Sequence, residues 1–286
     1  MFYQIPIIHL GQQNNKIMAV QNGSFIQGRI GNLLYRIVKG RQIISQLPVK
    51  GTKKMSEKSI NDCDTFGMAT SLSSAMRKSI SQLLGKNTDM DMVNRLNSGM
   101  SKIIKLGRDM KTLDYSFKEN SFSSINGFEF NADSPLFPML PVTVSDYKND
   151  GIIEVNLPEA DISREIRFPD KAYECTVQVS LSCFRIWEGL AVAKADTQAV
   201  TITRAVPRTA DTTLQFKVPD GCLCMVTVVL EYYKFRNGQL ILINRKNLQP
   251  ASILKLFLTP GRYQGKDGRK WVKMIKFNQA LTAQAI

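Results

Sequence analysis

The apolar and polar positions of this chain follow two different periods. From Ser56 onward, Ile60, Met68, Leu72, Ala75, Met76, Ile80, Leu83 and Leu84 recur mostly three or four residues apart. That spacing lines one side of a helix. Gly85 is placed to stop it, and Gly67 marks where it is interrupted or loosely started. Thr88-Asp-Met-Asp91 has the form of a capping box, and Met92, Val93, Leu96, Met100, Ile103 and Ile104 then form the stripe of a second helix ending at Gly107. Methionines at this spacing read as adaptable core rather than as a cofactor box. The two helices are expected to form an antiparallel pair or to pack on a β-domain.

Beyond about residue 120 the period shortens to two. The stretches 127–130, 152–157, 173–184, 199–203, 213–218, 222–233 and 239–244 read as strands, several alternating apolar with polar. Arg236-Asn237-Gly238 is a hairpin turn between the last two. The unbroken run from Cys222 to Tyr233 predicts a central strand covered on both faces. About seven short strands divided by Pro, Gly and Asp clusters argue for an antiparallel sandwich of immunoglobulin-like shape. The expected fold class is therefore α+β: an N-terminal basic β-hairpin arm over 1–55, a helical section over 56–120, a β-sandwich over 121–260 and a basic tail over 261–286.

The arm carries its own β signal. After a polar, turn-rich lead with one short apolar island at Ile17–Val20, the runs Leu33–Val38 and Gln42–Leu47 flank Lys39-Gly40-Arg41, a hairpin with a basic turn. Gly28 and Gly31 mark backbone that bends or approaches something closely. Gly28-Arg-Ile-Gly31 matches neither phosphate-binding glycine fingerprint and no helix follows at once, which argues against nucleotide binding.

Charge sharpens this division. The 286 residues have a formal net charge of +14 and a hydrophobic content of 43%, enough for a sizeable core. Residues 1–60 hold nine Lys/Arg against one acid and residues 261–286 hold six against one, whereas residues 121–260 hold 14 bases and 15 acids. The cations thus gather at the two ends around an electrically balanced middle. Clustered charge of this kind suits phosphate or an acidic protein surface, because partners concentrate in its field. Scattered solubilising charge is the plainer alternative. The apolar opening, residues 1–10, is too short to span a bilayer and lacks a basic lead, so it reads as a strand or docking arm. No membrane span and no signal peptide is expected. Five cysteines at irregular spacing indicate free thiols and a reducing setting, the cytoplasm or a virion.

The segment Gly28-Arg-Ile-Gly31-Asn-Leu-Leu-Tyr35-Arg-Ile-Val-Lys39-Gly40-Arg41, followed by Leu47-Pro48, a Lys-rich linker and a helix carrying Phe66, resembles the opening of an uncharacterised family of Bacteroidota and phage proteins. In that family a glycine-bounded basic hairpin leads through the linker and helix to a C-terminal immunoglobulin-like domain. The likeness covers roughly residues 23–80 and is architectural beyond them; this chain has a longer lead and a longer middle. The resemblance implies a bacterial or phage, non-catalytic setting and offers no activity to carry over.

Candidate chemistry is sparse. His9 is the single histidine, so any triad or His-based metal cluster would have to use it. Cys222 and Cys224 share one face of a strand and Cys175 and Cys183 share another, but neither pair has zinc-knuckle spacing, and buried small hydrophobes is the better reading. Asp146 with Asp150 and Glu159 with Asp161 are acids in loops, where capping or solvation is their usual role. No cofactor and no metal is expected. The basic hairpin remains: Arg29, Arg36, Lys39 and Arg41 flank Tyr35, Lys50, Lys53 and Lys54 extend the charge, and Arg269 and Lys270 represent it in the tail. Arg with an aromatic on a β-ribbon suits phosphate contact and base stacking. The leading reading is a non-enzymatic structural or assembly protein, a component of a virion or other large bacterial assembly, with protein partners or self-assembly. The alternative is nucleic-acid binding through hairpin, linker and tail.

Overall fold

The computed structural model describes residues 18–47, 56–137, 139–147, 151–169, 171–265 and 268–280. The chain divides into two compact units, the first 56 residues and the remainder.

In the first unit, β1 (Met18–Asn22), β2 (Phe25–Ile30), β3 (Leu33–Val38) and β4 (Arg41–Gln46) form an antiparallel meander in sequence order. The expected hairpin is β3–β4, with Val38 opposite Arg41. Its two-residue turn places both Lys39 (φ 50°) and Gly40 (φ 74°) in the left-handed region, the conformation whose twist matches that of the flanking strands. The β2–β3 ladder ends at Gly28–Tyr35. Beyond it the Gln42 carboxamide stands in for a strand: its oxygen accepts the Ile26 N–H at 2.8 Å and its nitrogen donates to the Ile26 carbonyl at 2.8 Å. No side chain described from Ala19 to Leu47 is buried.

The second unit starts with α1 (Glu57–Ser79), the single-turn α2 (Ser81–Leu84) and α3 (Met92–Gly107). α1 runs unbroken through Gly67, contrary to the interruption expected there, because packing of Ala69, Leu72 and Met76 in the core outweighs one glycine's propensity cost. The expected capping box is not formed. Asp91 makes no side-chain cap bond; Asp89 instead accepts the Asp91 N–H at 2.8 Å and the Ala132 N–H at 3.0 Å and pairs with Arg95.

The strands that follow are β5 (Phe128–Glu129), β6 (Thr143–Val144), β7 (Ile152–Leu157), β8 (Glu174–Arg185), β9 (Leu190–Val192), β10 (Asp196–Thr203), β11 (Thr212–Lys217), β12 (Leu223–Arg236), β13 (Gln239–Leu242), β14 (Ala251–Leu258) and β15 (Trp271–Lys273). One sheet has the order β15-β9-β8-β12-β14-β5, with β10 also beside β8 and β13 beside β12; a smaller sheet has the order β11-β7-β6. All of the pairings are antiparallel. With helices present as well, the class is α+β.

β12 is the central strand, as its composition predicts. Leu223, Met225 and Val229 join a core cluster with Leu72, Met76, Leu96 and Met100 of the helices. Cys224, Val226, Val228, Leu230 and Tyr232 join another with Ile153, Val155 and Phe216 of the smaller sheet. The helices, read from sequence as a section of their own, therefore share a core with the larger sheet. The segment after 261 also returns to the domain: β15 pairs with β9, Phe277 is fully buried, and the Tyr115 N–H donates to the Asn278 carbonyl at 2.7 Å. β14, absent from the sequence reading, holds the other side of β12 through a bulge between Val226 and Thr227.

Two glycines should respond in opposite directions to alanine. At Gly67 an added Cβ meets nothing within 4 Å, so Gly67→Ala should stabilise by about 0.5–1 kcal/mol. At Gly107 it would fall 2.1 Å from the Phe117 ring, so Gly107→Ala should destabilise by roughly 1–3 kcal/mol. Denaturant titration measures both.

Burial pushes the Glu129 carboxyl up to about 7 against hydrogen bonds from the Leu136 and Phe137 N–H groups, and its Oε2 has no partner. An acid held above its ordinary value favours folding while protonated and opposes it once ionised. Stability from this group is therefore lost as pH rises from near 4.5 through 7. Glu129→Gln should raise the melting temperature at pH 8 by several degrees, with the gain vanishing near pH 5.

Candidate interaction surface

Strand register sorts the residues of the meander by face. Arg29, Leu34 and Ser45 lie opposite one another across β2, β3 and β4, as do Gly28, Tyr35 and Ile44 one position along. Directly paired residues share a face and successive residues alternate. Arg29, Arg36 and Arg41 therefore stand on one face together with Leu34, Val38 and Ile43. The opposite face carries Ile30, Leu33, Tyr35, Ile37 and Ile44 with Gln42 and Gln46, and no charge.

The arginines are held by weak local contacts. Arg29 Nε donates to the Gly31 carbonyl at 3.0 Å, and Arg36 Nη2 reaches Ser45 Oγ at 3.4 Å. Residues 18–47 contain no Asp or Glu, so nothing within the described meander neutralises these cations. Lys39 sits in the turn beside Arg41. The apolar side chains are exposed on both faces: Ile44 is 54% exposed, Val38 44%, Ile43 41% and Leu33 39%. Among the described residues of this unit no second layer covers them.

The register also separates two groups that the sequence reading placed together. Tyr35 lies on the face opposite the three arginines, because it directly precedes Arg36 along β3 and pairs with Gly28 rather than Arg29. A strand cannot present neighbouring residues to one ligand surface.

Of the other predicted positions, His9, Lys50, Lys53, Lys54 and Asp150 lie outside the described residues. Arg269 is occupied within its own domain: Nη2 and Nε bond Asp196 Oδ2 at 2.8 and 3.2 Å, Nη2 also donates to the Lys217 carbonyl at 2.6 Å, and the side chain is 10% exposed. It braces β15 against β10 and β11. Lys270 is exposed, and its carbonyl accepts the Ala193 N–H at 2.8 Å.

The remaining chemistry is structural. Cys183 and Cys224 face each other across β8 and β12 with sulfurs 3.9 Å apart, and burial pushes the Cys224 thiol far up, which keeps it protonated. Burial likewise pushes Cys175 up to about 12. Among the described residues no three His, Cys, Asp or Glu side chains converge as a metal would require. Asp146 pairs with Lys255 at 2.7 Å, and Glu159 with Arg208 at 2.8 Å. Asp161 accepts the Ser163 hydroxyl at 2.6 Å and the Ser163 N–H at 2.9 Å, and that hydroxyl above all holds its carboxyl below the ordinary carboxylate range.

A surface missed in the sequence is the projecting end of the β12–β13 hairpin, where Phe235, Leu240, Ile241 and Leu242 are 60, 45, 39 and 50% exposed. The unbroken Leu240-Ile-Leu242 run signals a strand, but only the sheet's geometry leaves both of its faces exposed. Searches against protein-family models and against curated proteins find no match for the chain.

Proposed function

We propose that the protein is a non-catalytic structural or assembly component that docks through its N-terminal meander and through the β12–β13 hairpin. The observation that carries this reading is the exposure of the described meander: its strands leave isoleucines and leucines exposed, and three arginines on one face have no acid within residues 18–47. Two- to four-stranded sheets without a packed face are marginal in water, so an apolar partner surface with an acidic rim supplies both missing terms. The β12–β13 hairpin offers a second apolar contact and an open strand edge, the type of feature through which sheets join neighbours.

The two packed antiparallel sheets around β12 support an immunoglobulin-like reading of the β-domain, to which the helical layer is added. Together with the resemblance of residues 23–80, this favours a virion or another large bacterial assembly as the setting, and the cytoplasm or a virion as the place.

The second reading, nucleic-acid binding, is favoured by the uncompensated Arg29, Arg36 and Arg41 on one face. It is weakened by Tyr35, which cannot stack a base bound on that face.

Light scattering after size exclusion, with and without single-stranded DNA or RNA across a salt series, separates the two. Assembly predicts a nuclease-resistant oligomer that Leu33→Asp with Ile44→Asp reduces to a monomer without changing the melting of the second unit. Nucleic-acid binding predicts a monomer that shifts with DNA or RNA, and Arg29, Arg36 and Arg41 changed together to Ala would then lower the salt slope by about three.

A further inference from the structure

Two loops of the second unit, residues 158–168 and 203–210, are stitched side by side. The Ile162 N–H donates to the Pro207 carbonyl at 3.1 Å, the Thr209 N–H to the Ala160 carbonyl at 2.9 Å, and Asp161 bridges to Arg208. Two adjoining cavities open along this seam, and they share Ile166 and Val206 as wall residues. The first, of about 270 Å³, is mostly apolar, walled by Leu140, Leu157, Val200 and Ile202 with those two side chains; Arg208, also in its wall, pairs with Glu159 at 2.8 Å. Thr209 Oγ1, in its wall, is already used: it accepts the Ala160 N–H at 2.9 Å and donates toward the Pro158 and Ala160 carbonyls.

The second cavity, of about 570 Å³, is lined by the exposed Arg167 and Arg204 and by one acid, Asp161. Both arginines rise from anchored backbone. The Arg167 N–H donates to the Met139 carbonyl at 3.0 Å, its carbonyl accepts the Tyr232 hydroxyl at 3.3 Å, and the Arg204 N–H donates to the Tyr173 carbonyl at 2.8 Å. Their guanidinium groups, by contrast, make no hydrogen bond or ion pair with any described residue. Of the nearby acids, Asp161, itself in the wall of this cavity, accepts from Ser163, Glu165 accepts the Asp161 N–H at 2.7 Å, and Glu159 pairs with Arg208. A largely apolar chamber thus adjoins one in which two arginines outnumber a single carboxylate, and Val206, 44% exposed, stands at their junction.

We propose that these joined cavities form a binding site for a small anionic amphiphile, a medium-length alkyl chain bearing one carboxylate or phosphate head group. The chain lies among Leu140, Val200 and Ile202, where its transfer from water supplies the affinity. Arg167 and Arg204 hold the head group through charge-assisted hydrogen bonds, which set the orientation. The site is separate from the meander and does not depend on the assembly reading.

Calorimetric titration of the full chain with octanoate, octyl phosphate, octanol and acetate tests it. The expected result is saturable one-to-one binding of both octyl anions below their micelle-forming range, with octanol at least about tenfold weaker and acetate silent. The tighter of the two anions identifies the head group. Arg167→Ala with Arg204→Ala should cost the octyl anions about tenfold or more and leave octanol unchanged, whereas Ile202→Trp, which fills the apolar chamber, should abolish both. Thermal melts confirm that each variant is folded. If Ile202→Trp unfolds the protein, Val206→Asp at the exposed junction replaces it. Absence of octyl-anion binding to the wild type would overturn the proposal, as would equal affinity for octanol. An apolar peptide carboxyl terminus that binds while both octyl anions do not would likewise overturn it.

Discussion

A strand that is apolar on both faces cannot be stable at the surface of anything, and β12 is such a strand. From Leu223 to Leu230 every residue is buried, so burial of this one element requires a layer above and a layer below. The helices provide one and the β11-β7-β6 sheet the other. Everything else in the second unit is arranged around that requirement. β8 and β14 satisfy its backbone on both edges, and on the helical side Ser180, Ser182 and Thr227 keep the sheet surface low enough for α1 to approach, with Ser79 Oγ donating to Ser182 Oγ at 2.8 Å. The Gly107–Phe117 contact shows the same economy on α3, where the missing Cβ is the space the ring occupies.

The first unit obeys the opposite rule. Its strands alternate, its turns are well chosen, and its hydrogen bonds close, yet its described strands make only one layer. Alternation in such a sheet puts the arginines, with some apolar groups, on one face and only uncharged groups on the other, without burying either. The two units therefore differ in what they need. One has matched its apolar surface internally; the other exposes isoleucine, leucine and arginine that only another surface can match, which is why the functional proposal rests on it.

Much of this was visible in the order of residues. The β3–β4 hairpin, β7, and the identity of β12 as a central strand follow from local alternation and turn chemistry, and the α3 stripe follows from three- and four-residue spacing. β14 was not visible, although Ala-Ser-Ile-Leu-Lys-Leu-Phe-Leu is apolar enough: its bulge at Leu254 interrupts the two-residue period, and Lys255 in its middle is accommodated only because its amine reaches the Ser145 carbonyl and Asp146, each at 2.7 Å. β6, β9 and β15, two or three residues each, are too short to carry a period. The break expected at Gly67 and the capping box at Thr88 were local preferences overridden by packing and by the Asp89–Arg95 pair.

The candidate surfaces divide along the same line. Sequence alone determined that cations collect at the two ends, that residues 18–47 hold no acid, and that Arg36 belongs to a strand, because charge and short-range periodicity are properties of neighbours in the chain; Arg29 and Arg41, read as loop and turn, proved to lie in β2 and β4. Tertiary structure decided that those three share a face from which Tyr35 is excluded, that Arg269 is locked onto Asp196, and that Arg167 and Arg204, 37 positions apart by their numbering, line one cleft. Register, ion pairing and cavity walls join residues distant in sequence, and no local rule states which distant partners the closing of two layers around β12 will bring together.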